Sequence, residues 1–122
     1  MALTKSYTAM QASTSNAAGA TTNSSNVTIG YGASIIAQVT NGGTGPTVAC
    51  NANLQVSTDG GTTWLTRDSR TAGTANSTNY TFVFDLGIGG AGGDWSIARV
   101  QFTANTGQAV TVQADAYSTT GI

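Results

Sequence analysis

Residues 47–64 read Thr47-Val-Ala-Cys-Asn-Ala-Asn-Leu-Gln-Val-Ser57 and then Thr58-Asp-Gly-Gly-Thr-Thr-Trp64. Val48, Cys50, Ala52, Leu54 and Val56 alternate with Thr47, Ala49, Asn51, Asn53 and Gln55. Successive side chains of an extended strand point to opposite faces, so this period of two predicts a strand with one buried and one polar face. Residues 57–64 then turn the chain back on itself. The Asp59 carboxylate can accept hydrogen bonds from turn amides, Gly61 can take the positive φ that such a turn needs, and Trp64 re-enters a core. A β-hairpin is expected, with its second strand over residues 63–67.

The same period recurs on both sides of this hairpin. Ile35, Ala37 and Val39 alternate with Ser34, Ile36, Gln38 and Thr40, and Asn41-Gly-Gly-Thr-Gly-Pro46 then breaks the strand. Tyr80, Phe82, Phe84 and Leu86 share a face of an aromatic strand. Residues 94–104 and 108–118 read as two more strands, joined by a tight hairpin at Asn105-Thr-Gly107. Residues 27–31 and 4–10 are shorter strands, the latter at an edge. Residues 68–79 and the glycine-rich stretch 87–93 are loops. Residues 11–26, a low-complexity run of Ala, Ser, Thr, Asn and Gly, read as an arm or long loop.

Helical periodicity is missing throughout, and Glu, a common solvated helix former, is absent altogether. About eight short strands at this spacing predict an all-β chain, an antiparallel β-sandwich. With one cysteine the Cys–Trp–Cys core of immunoglobulin domains is impossible, and a long early arm followed by antiparallel strands favours a jelly roll. The expected organisation is an N-terminal strand and arm over residues 1–26 and a single sandwich domain over 27–122, since 122 residues suffice for one core.

Charged residues make up 7% of the chain, against about a quarter in an average protein. Hydroxyls and amides must therefore build the surface. The net charge of −1, with Lys5, Arg67, Arg70 and Arg99 scattered, gives no basic footprint for phosphates, so nucleic acid is excluded as a direct partner. A nearly neutral surface lacks self-repulsion and tolerates close packing against copies of itself. No apolar run is long enough to span a bilayer or serve as a signal peptide, so synthesis in a cytoplasm and no membrane partner are expected. The single Cys50 reads as a small buried apolar residue. Asn23, Asn26, Asn76 and Asn79 each open an Asn-x-Ser/Thr triplet, a pattern that arises by chance in a chain so rich in these residues.

Without histidine or glutamate, the usual general bases and most metal-binding sets are missing, so neither catalysis nor a cofactor or metal is expected. Asp59 belongs to the hairpin, Asp68 to an ion pair with Arg67 or Arg70, and Asp85 and Asp115 to solvated sheet faces. Gly87-Ile-Gly-Gly-Ala-Gly-Gly-Asp94 superficially resembles a phosphate-binding loop, but no Lys-Ser/Thr follows it. Its use would be to mould to a neighbouring subunit. Gly90, Ala91 and Gly92, with Trp95, Asn23 and Asn26, are therefore the candidate interface. Trp64, Trp95, Tyr7, Tyr31, Tyr80 and Tyr117 could stack on a glycan if displayed on an open face, Trp95 being the better candidate for exposure; core or interface packing is the simpler use.

Ser57, Asp59, Gly61, Thr63 and Trp64 match the Asp-box pattern Ser-x-Asp-x-Gly-x-Thr-Trp. Over these positions the chain resembles sialidases and other propeller proteins. A sialidase needs a glutamate, however, and a propeller needs at least four blades of about 40 residues, so the motif carries a structural hairpin only. Gln38-Val-Thr-Asn-Gly-Gly-Thr-Gly-Pro-Thr47, Leu54-Gln-Val-Ser57 and Ala98-Arg-Val-Gln-Phe-Thr-Ala-Asn-Thr-Gly-Gln-Ala-Val-Thr-Val112 look more like small tailed-bacteriophage virion proteins. That resemblance extends over residues 33–118. It implies a structural virion protein, a capsid cement (decoration) protein made in the host cytoplasm and carried on the capsid surface. Its partners would be the major capsid protein and its own copies, as a homodimer or homotrimer. A tail, neck or fibre component and a carbohydrate-binding β-sandwich module remain open. Exposed aromatics would favour the glycan reading, and arms reaching onto neighbours the virion reading.

Overall fold

The computed structural model describes residues 4–29, 32–86 and 97–121. Its strands are β1 (Thr4–Asn16), β2 (Thr22–Asn23), β3 (Val27–Thr28), β4 (Ala33–Asn41), β5 (Asn51–Ser57), β6 (Leu65–Thr71), β7 (Asn79–Leu86), β8 (Ile97–Thr103) and β9 (Val110–Gly121). One sheet has the order β1-β9-β4-β7. The other runs β2-β8-β5-β6, with β3 also paired to β8. All pairings are antiparallel. Because β2 and β3 lie in succession along β8, they act as one interrupted edge strand. The order is then that of an eight-stranded jelly roll, as the sequence implies.

Period-two patterning places the core between the sheets. Ile35, Ala37 and Val39 of β4, Val112, Ala114 and Ala116 of β9, and Phe84 and Leu86 of β7 are buried from the first sheet. Ala52, Leu54 and Val56 of β5 with Ala98, Val100 and Phe102 of β8 are buried from the second. These residues form one cluster, and Tyr80 and Phe82 pack at its margin. Two phenylalanine rings among many alanines let the sheets approach closely while filling the volume between them. Cys50 is fully buried within this cluster. Burial pushes its thiol up to about 11, so it is a packed thiol and not a nucleophile.

Four expectations of strand and loop placement need correction. Residues 11–26 are no arm: β1 continues to Asn16, and the run goes on through β2 to the start of β3. Polarity is a poor guide here, because Asn16 and Ser24 are buried by hydrogen bonding and not by apolarity. Asn16 Nδ2 donates to Asn105 Oδ1 (2.6 Å) and Ala20 O (3.1 Å), while Thr22 Oγ1 donates to Asn16 Oδ1 (2.6 Å). Asn105 Nδ2 donates to the carbonyls of Asn16 (3.1 Å) and Gln108 (3.0 Å). This satisfied network ties the two loops together.

The second correction concerns Asn105-Thr-Gly107, which joins β8 to β9 but makes no hairpin, since those strands belong to different sheets. A turn signal fixes where the chain bends, not which sheet it enters. Third, β5 begins at Asn51, and Val48 is 50% exposed in an isolated bridge to Thr106. The strand over 63–67 and the loop over 68–79 also shift, because β6 extends from Leu65 to Thr71.

Adjacent residues of β7 test this alternation. Phe84 is 2% exposed and Val83 49% exposed. Phe84→Ala should lower the unfolding free energy by about 3–5 kcal/mol in urea titration, whereas Val83→Ala should change it by no more than about 0.5 kcal/mol.

Candidate functional site

The turn after β5 is built from side chain to backbone bonds. Ser57 Oγ donates to Asp59 Oδ1 (2.8 Å) and accepts from the Gly61 amide (2.9 Å). Asp59 Oδ1 also accepts from the amides of Thr62 (3.1 Å) and Thr63 (2.8 Å). Gly60 and Gly61 have φ of 78° and 102°, the left-handed region open to glycine. Donors converging on one carboxylate, the Thr63 amide and the Ser57 hydroxyl foremost, pull Asp59 down to about 2. The hairpin expected from Ser57, Asp59, Gly61, Thr63 and Trp64 is therefore present, with β5 and β6 paired from Val56↔Leu65 outward.

Trp64 departs from expectation. It is half-buried, and the Arg99 guanidinium lies 4.3 Å from its ring centroid. Arg99 Nε donates to Gln55 Oε1 (2.8 Å), placing the stack over the polar face of β5 and β8 and not in the core. Odd-numbered residues of β5 point that way, and the turn returns the chain at the sheet edge. The stack shields Arg99, and burial lowers its pKa. Asn26 is exposed beside this turn, and Asn23 is exposed on β2. Gly90, Ala91, Gly92 and Trp95 lie outside the described residues, as does Tyr31.

A second group of side chains gathers on the outer face of the β1-β9-β4-β7 sheet. Tyr7 and Tyr117 are directly paired across β1 and β9, with ring centroids 5.1 Å apart at 46°. They are 57% and 53% exposed. Tyr7 donates its hydroxyl to Asp115 Oδ1 (2.6 Å), and Gln113 Nε2 donates to Asp115 Oδ2 (3.0 Å). The hydrogen bond to Asp115, with some desolvation and the nearby negative charge, raises the Tyr7 phenol above its ordinary range. Ser34 donates to Asp85 Oδ1 (2.5 Å). A groove of about 500 Å³ runs along Lys5, Tyr7, Ser34, Asp85, Tyr117 and Thr119.

Sequence reasoning names these tyrosines but not their meeting, which depends on the first and last strands being neighbours. A smaller groove, about 410 Å³, lies between the edge strands β6 and β7 near Arg67, Asp68, Arg70 and Val83. There Arg70 pairs with Asp68 at 3.4 Å, the local ion pair expected from the sequence. Among the described residues, no three of His, Cys, Asp and Glu gather as metal ligands would.

No family model matches the sequence, and no curated protein matches it. Among solved structures, the chain is similar to one described as "Structure of infectious bursal disease virus Gt strain", with a TM-score of 0.53 and 12% identity. That likeness covers 94% of this chain but only 31% of the viral one, so this chain spans less than a third of the protein it matches. It is also similar to "Family 16 Carbohydrate Binding Module-2", with a TM-score of 0.47, 12% identity and coverage of 84% and 71%. The viral likeness shows a shared all-β fold.

The depressed Asp59 pKa has a consequence for stability. Because its folded value lies below the ordinary carboxylate value near 3.9, the contribution is present above about pH 4 and is lost as pH falls through about 2. Asp59→Asn should therefore be less stable than wild type at neutral pH. The gap in urea midpoints should shrink between pH 4 and pH 2.

Proposed function

We propose that the protein is a structural component of a virion, a capsid cement protein of a tailed bacteriophage that binds between capsomers of the major capsid protein and stabilises the shell. The observation that carries this reading is the jelly-roll strand order, completed by the pairing of β1 with β9. The shared fold with the viral chain is consistent with it. So is a surface that substitutes hydroxyl and amide contacts for charge, such as Asn79 to Thr40 (2.7 Å), Ser69 to Asn53 (2.6 Å) and Thr71 to Asn51 (2.9 Å). Nearly neutral copies can crowd on a lattice without repulsion.

The protein acts by binding, without catalysis. Its exposed area of 5897 Å² has room for more than one patch of about 800 Å². Each contact can be modest, because engaging two capsomers together raises the effective concentration of the second. The contacts come from folded faces and edges, since residues 11–16 lie within β1 and cannot supply a free arm. Closed dimers or trimers would match symmetry axes of a shell.

Expanded capsids lacking this protein provide the test. Mixed with the purified chain and sedimented, they should carry it down in stoichiometric amounts, with electron cryomicroscopy density at symmetry axes. Bare axes would refute the cement role, and density on isolated tails instead would assign the protein to a tail, neck or fibre.

A further inference from the structure

Tyr7, Tyr117, Ser34 and Asp85 occupy paired positions on β1, β9, β4 and β7 in turn. They form one line across the whole sheet, at the spacing of about 4.8 Å between adjacent strands. The next line holds Asp115, Ile36 and Val83, and the one beyond it Gln113, Gln38 and Thr81. The outer face thus grades from aromatic to aliphatic to amide and hydroxyl. A strand pairing that only needed to hold the sheet would not require two tyrosines more than half exposed. Their rings flank a groove whose volume, about 500 Å³, falls in the range of about 300–1,000 Å³ for small-molecule sites.

We propose that this line is a binding site for neutral saccharides, a function additional to shell binding and independent of it. The rings of Tyr7 and Tyr117 offer apolar faces to the C–H side of a sugar. Ser34 donates to Asp85 Oδ1, and the second oxygen of that carboxylate can accept a sugar hydroxyl. The Tyr7 hydroxyl is held by Asp115, which fixes one wall of the groove. The charges select against other ligands. Asp85 and Asp115 disfavour phosphates and other anions, and Lys5, exposed at the rim, disfavours cations. A neutral ligand with alternating apolar and hydroxyl faces meets every group present. The Gln and Thr line beyond can hydrogen-bond further sugar units.

The full-length protein, fluorescently labelled, is applied to an array of neutral glycans together with cellohexaose, maltohexaose and chitohexaose, and any hit is titrated by calorimetry and by amide chemical shifts. The expected result is millimolar or tighter binding, with shifts centred on Tyr7, Ser34, Asp85 and Tyr117. Tyr117→Ala and Asp85→Ala should each weaken it at least tenfold while unfolding midpoints stay near wild type, as befits outer-face side chains. Three results would overturn the proposal: no neutral saccharide bound at millimolar concentration, binding unchanged in both variants, or self-association through this face that Tyr117→Ala abolishes. Capsid co-sedimentation reads the shell role separately.

Discussion

The turn held by Ser57 and Asp59 is the constraint on which the strand pairing of the molecule depends. Among the described residues, β5 and β6 are the one pair of strands consecutive in sequence that are also neighbours in a sheet. Around that turn nest β4 with β7, then β2 and β3 with β8, then β1 with β9, while the pairings of β5 with β8 and of β4 with β9 cross this series and roll it into two sheets. The innermost pair is Val56 with Leu65, and near the outer end Tyr7 meets Tyr117. Loop closure costs more as loops lengthen, though only slowly, so a short loop closed by its own side chains is the economical place to start. A slip there would move inward-facing residues to the outside.

Scarcity of charge shapes the rest. The outer faces carry ladders of hydroxyl and amide side chains, and buried polar groups such as Asn16 and Asn105 satisfy each other. The few charges are placed with effect. Arg67, Asp68 and Arg70 all lie on β6, an edge strand exposed along almost its whole length. Charged side chains on an open edge discourage uncontrolled pairing with other strands. The faces of the sheets, by contrast, stay nearly free of charge.

The strands with apolar alternation are legible in the sequence: Ile35, Ala37 and Val39 face inward, as do Tyr80, Phe82, Phe84 and Leu86. So is the Asp59 turn, because its hydrogen bonds are local. Sequence fails where partners are remote. Polar residues 11–16 form a strand only because β9 lies beside them, and Asn16 is buried only because Asn105 meets it. The size of Trp64 argues for the core, yet Arg99 captures it on the opposite face. The tyrosine pair is hidden for the same reason: its members are separated by nearly the whole chain and become neighbours only through the last closure of the jelly roll.

That closure completes the jelly roll and brings the two tyrosines together. Nuclear Overhauser contacts in the labelled protein measure it directly. Cross-strand signals between Tyr7 and Tyr117, and between Ile35 and Ala116, are predicted by the register of β1-β9-β4. A pattern in which β9 instead contacts β8 as a hairpin, with no signal linking Tyr7 to Tyr117, would contradict it.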